Sequence, residues 1–160
     1  MALATAQLNW DIEDILDGTV SMPTVQDAGD AWGDAYSTYA ATGQANGIPA
    51  VVPPSATSAL QAALTSAFST LPGSPPSVAS SISSALSSFW ALVTFAGSIP
   101  PPNPSAGASA LISSLTSIFS VVGGTHVSKA SEISTALDAF TKLVIVMFPS
   151  PGGPLPFPVV

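Results

Sequence analysis

Ser58–Ser69 reads SALQAALTSAFS and Ser109–Ser120 reads SALISSLTSIFS, an offset of 51 residues. At the same offset Ala79–Val93 (ASSISSALSSFWALV) matches Ala130–Val144 (ASEISTALDAFTKLV). The kept apolar pairs are Ile82/Ile133, Leu86/Leu137, Phe89/Phe140, Leu92/Leu143 and Val93/Val144. A Ser/Ala-rich chain produces one such match by chance. Two at one offset, with aromatic and aliphatic positions kept, mark a duplication. Within the first copy Ala56, Ala59, Leu60, Ala63, Leu64, Ala67, Phe68 and Leu71 follow the spacing of one helical face. Val78, Ile82, Ala85, Leu86, Phe89, Val93 and Ala96 form a second such face. The runs Leu71-Pro72-Gly73-Ser74-Pro75-Pro76 and Ile99-Pro100-Pro101-Pro102-Asn103-Pro104 break the pattern. The unit is therefore a helix–turn–helix hairpin, and two such hairpins predict a four-helix bundle.

Outward from the duplication the chain changes character. Thr24-Val25-Gln26-Asp27 has the form of a capping box. Ala28, Ala31, Trp32, Ala35, Tyr36, Tyr39 and Ala40 behind it make another helical face, ending near Gly43. Residues 1–23 offer one short helical stretch, Trp10 to Leu16, and read as an acidic arm. Pro149 to Val160 carries a proline at nearly every second position and predicts an extended arm. The expected fold is all-α: a duplicated hairpin bundle (55–148, copies 55–98 and 106–148) preceded by an additional helix, with extended N- and C-terminal arms. A linking helix (24–45) and a Pro-containing linker (46–54) join the N-terminal arm to the bundle, and 149–160 follows it.

The 160 residues carry a net charge of −7, with only 7% charged and 47% hydrophobic. Ordinary soluble domains carry about 25% charged residues. Seven of the nine acids (Asp11, Glu13, Asp14, Asp17, Asp27, Asp30, Asp34) precede Ala35, both lysines (Lys129, Lys142) lie in the last quarter, and no Asp, Glu, Lys or Arg falls between Asp34 and Lys129. Two cations cannot neutralise a useful number of phosphates, which argues against nucleic-acid binding. With no cysteine there is no disulfide framework and no thiol chemistry. A long uncharged surface is better explained by a partner covering it. The two copies differ here: Lys129, Glu132, Asp138 and Lys142 stand where the first copy has Val78, Ser81, Ser87 and Ala91. The first hairpin is accordingly expected to be the more covered one.

Candidate sites are few. Asp11 to Gly18 invites a calcium loop, but position 5 would be Ile15, position 6 Leu16 and position 12 Met22, so the ligand pattern fails. His126, in the Gly123-Gly124-Thr125-His126 turn, is the one candidate general base, and no G-x-S-x-G supplies a positioned nucleophile. The acids crowd into the N-terminal segment rather than facing one another across a cleft, as glycoside hydrolysis requires. Neither an enzyme nor a cofactor is expected. Asp27, Asp30 and Asp34 fall at i, i+3 and i+7, a stripe suited to a partner's basic patch. Leu155, Phe157 and Val159 alternate as a strand docked on a neighbour's sheet edge would.

Val78 to Ile99 is 22 residues without formal charge, long enough to span a bilayer, although six serines make its first half polar. A membrane- or lipid-surface hairpin is thus the rival reading. No basic n-region followed by an apolar run opens the sequence as a secretory signal would. A charge-poor Ser/Ala bundle, the acidic segment Asp11 to Asp17 and the Pro-rich end Phe148 to Val160 together resemble small accessory structural proteins of tailed bacteriophages. That resemblance implies a non-enzymatic virion subunit of the tail, baseplate, neck or capsid. It implies as partners the other structural proteins of that assembly and further copies of itself.

Overall fold

The computed structural model describes residues 3–18, 22, 24–70, 73–99 and 101–160. Leu71, Pro72 and Pro100 of the expected breakers, and 1–2, 19–21 and 23 of the expected arm, lie outside the described residues. Among these residues the chain forms six helices: α1 (Thr5–Leu16), α2 (Val25–Ala40), α3 (Pro54–Ser69), α4 (Pro75–Trp90), α5 (Ser105–Ser120) and α6 (His126–Thr141). Five short strands accompany them: β1 (Gln44–Ala45), β2 (Ile48–Val51), β3 (Thr94–Phe95), β4 (Ile145–Phe148) and β5 (Leu155–Pro158). The expected all-α four-helix bundle is corrected on both counts. There are three hairpins, and each is followed by a strand.

The third hairpin is α1–α2, the segment read from sequence as an arm and a linking helix. α1 buries Leu8, Ile12 and Ile15 on one stripe. α2 starts at the Thr24 capping box, in which Thr24 and Asp27 exchange side chain-to-backbone bonds. It is a core helix rather than a linker. At offsets of 50 and 51 its buried positions coincide with those of α4 and α6: Gly29/Ala79/Ala130, Gly33/Ser83/Ser134, Tyr36/Leu86/Leu137 and Tyr39/Phe89/Phe140. Each helix packs on the next in sequence and α6 packs back on α1, so the six close into a ring with pseudo-three-fold symmetry.

The small residues explain the closest contacts. A Cβ on Gly29 would lie 2.1 Å from Thr65 Oγ1 and 2.7 Å from its backbone nitrogen, so only glycine lets α2 approach α3 this closely. The equivalent face of α4 meets α5 through Ser83 Oγ, which donates to Ala108 O (3.3 Å). That of α6 meets α1 through Ser134 Oγ, which donates to Asn9 Oδ1 (3.1 Å). At the axis, position 40/90/141 holds Ala, Trp and Thr, so one large side chain and two small ones share the space. Trp90 Nε1 donates to Tyr36 Oη (2.9 Å), and Tyr36 Oη lies 2.7 Å from Thr141 Oγ1. Thr141 Oγ1 donates its own proton to Leu137 O (2.9 Å). Tyr36 is therefore the donor to Thr141.

Both duplicated second helices end earlier than their apolar spacing predicts, at Trp90 and Thr141. β-branched Val93-Thr94 and Val144-Ile145-Val146 follow, and such residues favour strand over helix. The charge-free run Val78–Ile99 is thus most of α4, followed by a turn and the short β3, and no helix among the described residues is long and apolar enough to cross a membrane. β1 turns into β2 through Asn46 (φ 53°) and Gly47 (φ 74°), the left-handed pair that a two-residue hairpin needs.

The strands close the ring a second time. Val51 pairs with Thr94, and Asn103 bridges Ile145. Val160 exchanges both backbone bonds with Gln44 (2.8 and 2.9 Å). Gln44, Thr94 and Ile145 are equivalent positions, so each post-helix segment pairs with the strand of the next hairpin, and the last pairs with the first. The expected C-terminal arm is therefore β5 and its sequel, folded onto the chain's own β4 and β1. Val159, expected to seat on a neighbour, is fully buried in this chain's core.

Candidate functional site

The expected acidic stripe has local partners. Asp27 caps α2, Asp30 accepts from Gln26 Nε2 (2.8 Å), and Asp34 accepts from Gln61 Nε2 across to α3 (2.9 Å). Asp34 also shares a shallow groove between α1 and α2 with Asp11 and Asp14, which leaves Asp27 and Asp30 outside it. Among the described residues no group of three His, Asp or Glu side chains is placed to hold a metal ion. His126 is exposed at the first position of α6. Of the expected C-terminal contacts, Leu155 is half exposed, and Phe157 packs edge-on against Phe148 with ring centres 5.7 Å apart.

One ionisable cluster is built into the fold. Asp138 Oδ1 accepts from Thr5 Oγ1 (2.8 Å) and Tyr39 Oη (2.7 Å), and Oδ2 pairs with Lys142 Nζ (2.7 Å). Burial alone would raise its pKa. The bonds from Lys142, Tyr39 and Thr5 outweigh that and hold it below the ordinary carboxylate value. Burial pushes the Tyr36 and Tyr39 hydroxyls up, and for Tyr39 the hydrogen bond to Asp138 adds to the effect. A carboxylate held ionised and phenols held neutral are fixed, not poised for proton transfer near neutrality. The cluster joins α6 to α1 and α2. Its chemistry is that of a fastener.

Two apolar features remain, one at each end. At the hairpin end, a hollow of about 300 Å³ opens on the pseudo-three-fold axis. Its walls pair equivalent positions from all six helices: Leu16, Phe68 and Phe119 from α1, α3 and α5, and Trp32, Ile82 and Ile133 from α2, α4 and α6. Trp32 and Phe68 meet edge-on, ring centres 5.9 Å apart. Other hollows include shallow grooves between α5 and α6 and between α3 and α4, both rich in serine and threonine.

At the strand end the exposed large apolar residues are Val51, Leu92, Ile99, Leu143, Leu155 and Val160, each between 42% and 57% exposed. Leu92 and Leu143 are a kept apolar pair of the duplication, and both lie in the turns that follow the helix ends. Among the described residues the side-chain charges at this end are those of Asp138 and Lys142, which pair with each other. Sequence reasoning found neither feature as a site. The kept pairs Phe68/Phe119 and Leu92/Leu143 were the available signal.

Comparison with known protein families, curated proteins and solved structures finds no match to this chain.

Proposed function

We propose that this chain is a non-enzymatic structural subunit of a larger protein assembly, and that it docks through its strand-bearing end. The observation that carries the reading is the half-exposed aliphatic face of Val51, Leu92, Ile99, Leu143, Leu155 and Val160, whose nearby charges are already paired. Apolar surface gathered on one face is what a protein interface covers. The accessory virion proteins of tailed bacteriophages, which the sequence resembles in style, are one class of assembly that fits.

The mode of docking differs from strand addition. Val159 N–H donates to Val144 O, so the residues of the same parity, Phe157 and Leu155, turn their N–H groups toward β4. Pro156 and Pro158 then occupy the outward positions and offer no donor, which closes this edge to a neighbour's strand. Contact on this face is side-chain packing. The Asp138 cluster supports the non-enzymatic part, because its groups are held away from the protonation changes that catalysis uses.

Native mass measurement of the chain drawn from its own lysate is the test. The expected result is a complex heavier than the monomer, lost in a Leu92→Asp, Leu143→Asp variant that keeps its circular dichroism. A monomer in the lysate sample overturns the proposal. So does flotation of the wild-type chain with neutral liposomes, which would favour a lipid surface instead.

A further inference from the structure

We propose that the axial hollow at the hairpin end is a binding site for a small, uncharged, apolar molecule of about a dozen carbon atoms. The argument begins with the symmetry. Toward the strand end the axis is filled, because Trp90 spans it and bonds to Tyr36, which bonds to Thr141. Two turns away on the same helices, positions 32, 82 and 133 hold Trp, Ile and Ile, and none of them reaches across. Trp32 instead turns outward to stack edge-on with Phe68, and so forms a wall rather than a plug. The space left is about 300 Å³.

The lining selects the occupant. Among the described residues no ionisable side chain lines the hollow, and the one polar side-chain group of that lining is the Trp32 indole N–H. Water inside the hollow finds few polar partners on its walls, so an apolar guest that displaces it is favoured. A charged ligand would lose its hydration with no opposite charge to replace it. A partner's side chain would bring two peptide groups to a rim formed in part by Leu16 and Pro75, which offer them little. A cavity of about 150 Å³ accepts one benzene, so twice that volume fits a two-ring hydrocarbon. The hollow lies at the opposite end from the aliphatic docking face, so the two proposals fail independently.

The experiment titrates the full chain with biphenyl while following methyl NMR signals. Saturable shifts are expected at the Ile82 and Ile133 methyls, with those of Leu92 and Leu143 unmoved. Biphenyl-4-carboxylate should bind at least tenfold more weakly. Val78→Phe, which fills the hollow from its wall, should abolish saturation while the other methyl signals keep their positions. If that variant does not fold, the carboxylate comparison and the location of the shifts still decide. No saturation up to the solubility of biphenyl overturns the proposal, as do shifts spread over the strand end. Tighter binding of the peptide Gly-Trp-Gly at the same methyls would also overturn it, in favour of a partner's side chain.

Discussion

At the scale of single residues, Asp138 makes the ring's closure specific. Its equivalents in the other two hairpins are Ser37 and Ser87, so the charge belongs to one junction only. There it accepts from Thr5 on α1 and Tyr39 on α2, with Lys142 balancing it. Asp138→Ala leaves the Tyr39 hydroxyl in a 2% exposed side chain without its acceptor. The expected cost is about 2 kcal/mol in urea denaturation, typical of a lost bond to a charged group. The pH dependence follows from the lowered pKa. A carboxylate whose folded pKa lies below its unfolded value of about 3.9 adds stability above that value. That stability is lost as pH falls below it toward the folded value. The stability gap between wild type and Asp138→Asn should therefore shrink between about pH 6 and about pH 3. A gap that stays constant over that range would remove the charge from the account.

At the scale of elements, the segment after α6 does for the third hairpin what Ile48–Val51 does for the first. Ala50, Pro102 and Val159 are the buried members of the three equivalent segments, and Val159 packs where Gly43 leaves room for it beside Leu3. Removing residues 149–160 uncovers β4 and opens the strand ring, rather than trimming a free tail. The expected loss is on the order of 3 kcal/mol, from one fully buried valine and a half-buried phenylalanine. It is read as a lower midpoint in thermal circular dichroism, and an unchanged midpoint would restore the free-arm picture. The sequence makes two of the three hairpins legible because they keep residue identity at one offset. The first hairpin keeps only the pattern of buried positions, with Gly29 for Ala79, Gly33 for Ser83 and Tyr36 for Leu86. Identity matching cannot see that. The helix ends are not legible because Val93 and Ala96 continue the helical face, and only the ladder to the next hairpin explains why the chain extends there. The axial hollow was invisible because it is a deficit summed over three distant positions, none of them unusual alone.

At the scale of the whole molecule, the ring makes a statement about connectivity. Val160 pairs with Gln44 as Val51 pairs with Thr94, and the buried Leu8 and Ile12 of α1 stand where Leu60 and Leu64 stand in α3. By this correspondence Leu3 takes the place of Ser55, so a link of three residues, standing for Val52, Pro53 and Pro54, leads from Val160 to Leu3. Two anchors hold them near each other. Val160 bonds to Gln44, and Ala4 N–H donates to Thr42 Oγ1 (3.0 Å), two residues earlier on the same turn. A chain that joins Val160 to Leu3 through a Gly-Ser-Gly link therefore needs no rearrangement. The place to open it is the α5–α6 turn, where Val122 is fully exposed and Gly123 has a φ of 101°. Such tips tolerate new termini. The permutant running from Gly124 through Val160, the Gly-Ser-Gly link and Leu3 to Gly123 should keep the helical circular dichroism and melt cooperatively within a few degrees of the parent. The Asp138–Tyr39 bond tests whether the same junction has formed. Asp138→Ala should cost the permutant as much as it costs the parent, because the α6–α1 contact is then made between segments adjacent in the chain but unchanged in space. A permutant that folds without that sensitivity would mean that α6 and α1 no longer meet as described. One that fails to fold would mean that the ends do not meet at all.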